Sequence, residues 1–131
     1  MIGLDTNVLL RLWLDDDPAQ SKRIDALLDA HGGSPGSLMV SDVVLAEALW
    51  VLRSAYAQDK AAQCRALKSL LDEPAFAFEN RAAVNAALEL FEGSTCGFSD
   101  CLVVAKHADL GCDFTATFDR RMRQLPGVAL L

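Results

Sequence analysis

The chain is poor in the residues that announce transition-metal or redox chemistry. It carries two histidines, His31 and His107, and four cysteines, Cys64, Cys96, Cys101 and Cys112. None of the cysteines stands in C-x-x-C spacing, and the histidines make no metal pair with them, which speaks against a zinc site. The cysteines read instead as small, reduced, partly buried residues. Basic charge is also in deficit: 12 Lys and Arg face 18 Asp and Glu, a net charge of −6. That balance argues against a general nucleic-acid coat. It weighs less against an enzyme whose acids gather in a pocket with arginines around it. No apolar run approaches the roughly 20 residues that a membrane-spanning helix needs. The N-terminus has no basic leader or small-residue cleavage pattern, and Asp5 and Arg11 interrupt its apolar run. The expected location is the cytoplasm, with no membrane partner.

What is present is ordinary globular material. The 131 residues are 52% hydrophobic and 23% charged, enough for one domain over 1–131 with a core that needs no staples. "IGLD" reads as a buried strand and Val8 to Leu14 as a short helix. Asp17 and Pro18 suit the N-cap and first position of a helix running to about Ala30, before the turn-rich loop "HGGSPGS". "LMV" is a second strand, and Ser41 and Asp42 open the helix "VVLAEALWVLRSAY". A helix from Asp59 to Leu71 leads to a third strand, "FAFE". From Arg81 to Glu92 the helical period is plain: Val84, Leu88 and Phe91 share one face, Arg81, Asn85, Glu89 and Glu92 the other. "FSDCLVVAKHADLG" is a helix that Gly111 ends, "DFTATF" a fourth strand, "DRRMRQL" a short helix and "VALL" a last strand. Short apolar strands alternating with helices indicate an α/β fold, a three-layer α/β/α sandwich around a short, mainly parallel sheet of about five strands.

Among the acids, "DDDP" at Asp15 to Asp17 reads as a solvated turn with a cap at its end. Asp25, Asp29, Asp59, Asp72 and Asp109 fit polar helix faces or helix ends. Asp5 and Asp119 each follow a strand and precede a helix, so an N-cap accounts for either one alone. Asp100, at the start of a helix, is favoured there by the helix dipole. Glu47 has no capping role, and in so apolar a helix it is expected to be buried and paired. Topology offers a way to join the four. Ligands of open α/β sheets gather beyond the carboxyl ends of the strands, where strand order reverses. If strands one and four are neighbours, Asp5 and Asp119 meet there, with Glu47 and Asp100 on adjoining helices. Carboxylates held together repel unless a cation intervenes, and an all-oxygen site suits Mg²⁺ or Mn²⁺. Such an ion can activate water and neutralise charge on a phosphodiester.

The blocks "LDTNVLL", "SDVVLAEALWVL", "FSDCLVVAKHADLGC" and "TATFDRRMRQLPGV" resemble, in order and over the whole chain, the PIN-domain nucleases, and specifically the VapC-type toxins of toxin–antitoxin modules. The resemblance implies that Asp5, Glu47, Asp100 and Asp119 are the four acidic positions that bind one or two Mg²⁺ or Mn²⁺ ions and support hydrolysis of RNA to 5′-phosphate and 3′-hydroxyl ends. It also places Thr6, Asn7 and Thr117 beside the acids as orienting groups, with turn and strand-end roles as the alternative. Candidate RNA contacts are Arg11, Arg53, Lys106, Arg120, Arg121 and Arg123, each equally explicable as surface charge. A VapB-type antitoxin and a homodimer are the implied partners, and the apolar helix around Glu47, Leu49 and Trp50 suggests where one of them packs. Two rivals remain. A haloacid-dehalogenase-type phosphatase needs a second aspartate two residues after the first, where this chain has Asn7. A PIN-like module that binds RNA or protein without catalysis is the other.

Overall fold

The computed structural model describes all residues, Met1–Leu131, which form two compact units, Met1–Glu79 and Asn80–Leu131. In the first, the order is β1 (Ile2–Gly3), α1 (Thr6–Leu14), α2 (Pro18–His31), β2 (Leu38–Val40), α3 (Asp42–Tyr56), α4 (Lys60–Asp72) and β3 (Phe76–Phe78). The three strands run parallel in the order β1-β2-β3, with Ile2 opposite Leu38 and Leu38 opposite Phe76. The central strand buries Leu38 and Val40. A strand with a ladder on both sides spends its whole backbone on hydrogen bonds, so an apolar triplet such as "LMV" suits that position.

The helices of this unit take their starts from local chemistry. Asp17 accepts a hydrogen bond from the Gln20 amide at 3.1 Å just ahead of Pro18. Ser41 accepts from Val44 at 3.4 Å, and Asp59 from Ala62 at 2.9 Å. Each satisfies an amide that a helix start leaves open. α1 packs on α2 and α3, and α3 on α4. Leu9, Leu45, Leu49 and Leu67 are fully buried on the faces that meet.

The second unit runs α5 (Arg81–Glu92), α6 (Phe98–Asp109), β4 (Thr115–Thr117), a short 3₁₀ helix (Arg120–Gln124) and β5 (Val128–Leu130). Val84, Leu88 and Phe91 on α5 are buried as their period requires, and α5 packs on α6, where Phe98, Cys101, Leu102 and Val104 are buried. Phe91 meets Phe98 edge to face, ring centres 5.9 Å apart, the arrangement that aligns a positive ring edge with a negative face. Gly111, at φ +82°, ends α6 as its position suggests. The Cys112 amide then donates back to the His107 carbonyl at 2.9 Å. β4 and β5 pair in parallel, Thr115 opposite Val128.

The expected α/β class is observed: six helices and five short parallel strands, as a ladder of three and a ladder of two. The main difference in boundaries is at α1, which begins at Thr6 rather than Val8. The polar pair Thr6–Asn7, read as a turn, is the first half-turn of the helix.

α3 closes on Ala57 in the left-handed region at φ 50°, with the amides of Ala57 and Gln58 both donating to the Leu52 carbonyl. Glycine normally fills this position because a Cβ there meets carbonyl oxygen. Ala57→Gly is expected to raise the free energy of unfolding by about 1 kcal/mol in a urea titration, and a loss of stability would contradict the assignment.

Candidate functional site

Asp5 stands at the N-cap of α1 with the extended backbone of a cap, φ −81° and ψ 162°, yet its side chain makes no capping hydrogen bond. This separates it from Asp17, Ser41, Asp59 and Asn80, which cap α2 to α5 through their side chains. The Asp5 carboxylate is exposed, and the helix behind it contributes partial positive charge without fixing an oxygen in place.

Glu47 corrects an expectation. It is not a buried acid: it is exposed, on the side of α3 that also carries Val43 and Trp50, while Leu45, Ala48, Leu49 and Leu52 fill the buried side. No hydrogen bond or ion pair holds it. The apolar sequence around Glu47 misleads because two of its large members, Val43 at 73% and Trp50 at 57% exposure, face outward. Burial therefore does not set Glu47 apart. What remains distinctive is a solvated carboxylate without a partner between two exposed apolar side chains.

In the second unit Asp100 lies in the first turn of α6, whose N-cap is Gly97 and whose start, like that of α1, has no side-chain cap. The Asp100 carboxylate has no side-chain hydrogen bond and is half-buried. Asp119 is different. Its Oδ1 accepts from the Arg121 amide at 2.9 Å, capping the 3₁₀ helix, and lies 3.7 Å from Arg121 Nε. Capping is thus the observed role of Asp119 and is not the role of Asp5 or Asp100.

The supporting residues divide similarly. Thr6 is buried, and Asn7 is exposed on a cleft of about 340 Å³ between α1 and α2, beside Val8, Arg11, Arg23, Ile24 and Leu27. The Thr117 hydroxyl accepts from the Asp119 amide at 3.0 Å and contacts Met122 Sδ at 3.5 Å, which makes it a strand-end residue. Arg11 donates to the Tyr56 hydroxyl at 2.8 Å, pairs with Asp16 and lies over the Tyr56 ring. The hydrogen bond to Tyr56 holds its pKa above the ordinary value, burial opposes this, and Asp16 adds to the rise. With its side chain only 16% exposed, Arg11 is an internal clamp rather than an open contact for RNA. Its partner Tyr56 is 45 positions away, and nothing in the sequence pattern signals that pairing. Arg120 and Arg121 are exposed.

No three His, Cys, Asp or Glu side chains in the structure are grouped so as to hold a metal ion. The donor chemistry nevertheless fits a hard divalent cation. Asp5, Glu47 and Asp100 offer carboxylate oxygens with no internal hydrogen bond or ion pair, the ligand type that Mg²⁺ and Mn²⁺ take. A PIN-domain family model matches residues 2–128. No curated protein matches the chain.

The contrast in capping predicts a contrast in stability. Asp17→Ala and Asp119→Ala each remove a cap and are expected to cost about 1 kcal/mol. Asp5→Ala should cost no more than about 0.5 kcal/mol. Thermal unfolding of the three variants reads this directly, and an equal loss in Asp5→Ala would make Asp5 a structural cap.

Proposed function

The chain belongs to the PIN-domain family, typically metal-dependent nucleases, and from this we propose that it is an endoribonuclease that hydrolyses phosphodiester bonds in single-stranded or structured RNA. The observation that carries the reading is that Asp5, Glu47 and Asp100, three of the four acidic positions that the resemblance implies, have no internal side-chain partner, whereas the fourth, Asp119, and the capping residues elsewhere in the chain are engaged. Asp5, Glu47, Asp100 and, less freely, Asp119 would hold Mg²⁺ or Mn²⁺. When bound, that ion supplies charge neutralisation at the phosphodiester and lowers the pKa of water.

The chain's own side chains set the remaining terms. Asp5 and Glu47 are exposed and Asp100 is half-buried, and none of the three side chains has an internal hydrogen bond or ion pair, so binding a cation breaks no internal bond. Arg53, Arg120 and Arg121 are exposed and offer positive charge to phosphate oxygens. Arg11 contributes by bracing α1 against Tyr56 of α3 and so holds the helix that Asp5 begins. Asn7 stands on the same first turn, exposed, with an amide able to orient water or a phosphate oxygen.

We propose further that the biological role is that of a VapC-type toxin, restrained by a VapB-type antitoxin and acting as a homodimer. The four motif blocks in family order support this. The antitoxin tail would cover the acids and present a basic residue to them, and the α1–α2 cleft, lined by Val8, Ile24 and Leu27, suits an apolar segment of such an antitoxin.

Cleavage of a labelled RNA in Mg²⁺ tests the activity. Asp5→Asn and Asp100→Asn, folded by circular dichroism, are expected to lose about a hundredfold or more in rate, and excess chelator should abolish wild-type cleavage. Unchanged cleavage in both variants, or activity that survives chelation, would overturn the reading. Release of phosphate from small phosphomonoesters would point instead to a phosphatase.

A further inference from the structure

Three of the large exposed apolar side chains are aromatic, Trp50, Phe114 and Phe118, and two of them, Trp50 and Phe118, each stand beside one of the proposed metal ligands. Trp50 is 57% exposed and three residues after Glu47; Phe118 is 80% exposed and immediately precedes Asp119. Neither ring is engaged in an aromatic or cation–π contact. Each is also followed within three residues by an exposed arginine, Arg53 after Trp50, and Arg120 and Arg121 after Phe118. The same composition, carboxylate, bare ring and guanidinium, thus occurs once in each unit.

On α3 the spacing gives it a direction. Three residues advance a helix by about 4.5 Å, so Glu47, Trp50 and Arg53 follow one another along the exposed side at that interval. Helical side chains lean toward the helix N-terminus, which carries the Trp50 ring toward the Glu47 turn. A protein partner covering Trp50 would also have to bury the unpaired Glu47 carboxylate beside it, which is costly, and charged residues are depleted from the cores of protein interfaces. A nucleobase needs only the face of the ring. It leaves the carboxylate free for a cation and the neighbouring phosphate within reach of arginine.

We propose that Trp50 and Phe118 are stacking platforms for unpaired nucleobases, which position single-stranded RNA against the acids. This rests on the ribonuclease reading above. Paired bases are already stacked on their neighbours, so the platforms select unpaired nucleotides, and because every base has a π-face they do so with little sequence preference.

Steady-state cleavage of a short single-stranded oligoribonucleotide tests the proposal. Trp50→Ala and Phe118→Ala are each expected to raise KM about tenfold or more with kcat within a few-fold, and Trp50→Phe should restore most of the affinity. An independent readout is Trp50 fluorescence in the Trp13→Phe chain, titrated with the all-deoxy oligonucleotide of the same sequence; Trp13 Nε1 has no hydrogen bond to lose. Quenching is expected for the single strand and not for its duplex. Cleavage by wild type with KM unchanged in both alanine variants would overturn the proposal. So would equal quenching by duplex, or a shift of Trp50→Ala from dimer to monomer in sedimentation with KM unchanged, which would make the face a contact between copies. If the wild type cleaves no RNA, the ribonuclease reading fails, yet single-strand quenching still upholds the platform; absence of both ends it.

Discussion

Every helix begins with amides that have no partner in the preceding turn, and how the chain meets that demand decides which of its polar groups remain available. Four of the six helices start on a side chain that accepts one of these amides: Asp17, Ser41, Asp59 and Asn80. α1 and α6 do not. Each has a carboxylate at its start all the same, Asp5 at the cap and Asp100 in the first turn. Water can satisfy the open amides at a helix end, so the chain gives up about 1 kcal/mol at α1 relative to a used cap and only about 0.3 kcal/mol at α6, where glycine is the cap. In return, two acids stay unpaired in the positive field of a helix end. Asp5 thus differs from Asp17 and Asp59 in leaving its cap position unused, and Asp100, the third residue of a helix whose cap is glycine, has a side chain with no hydrogen bond.

The same criterion ranks the other acids. Asp119 is engaged by the Arg121 amide and guanidinium, so any role in binding a cation must compete with its role as a cap. Glu47 needs no cap and has no partner, but it stands in solvent rather than in the core. Its environment is set by Val43 and Trp50 at its sides, an arrangement that favours contact with something both apolar and charged. Nucleic acid meets that description and the chain's overall acidity does not contradict it, because local arginines rather than net charge lie beside the exposed rings.

Much of the fold was legible in the sequence because local signals agreed with tertiary demand. Pro18 behind Asp17, the period of Val84, Leu88 and Phe91, and Gly111 at the end of α6 each had one reading, and the structure adopts it. α1 was misjudged by two residues since Thr6 and Asn7 look like turn formers until the helix they begin is seen. The site was legible only as residue types. Hydropathy made Glu47 look buried, because a window average cannot tell which side of an apolar helix faces solvent. Nothing in sequence distinguishes a used cap from an unused one, so Asp5 and Asp119, alike on paper, separate only by their hydrogen bonds. The Arg11–Tyr56 clamp joins residues far apart in the chain and had no signal at all.

We propose that Asp5 and Asp100, whose side chains have no internal hydrogen bond or ion pair, bind a divalent cation. A Mn²⁺ titration of the intact chain followed by electron paramagnetic resonance tests it without any substrate. Saturable binding is expected for the wild type, weakening about tenfold or more in Asp5→Asn and in Asp100→Asn, with Asp17→Asn unaffected. Equal Mn²⁺ affinity in all four proteins would contradict it.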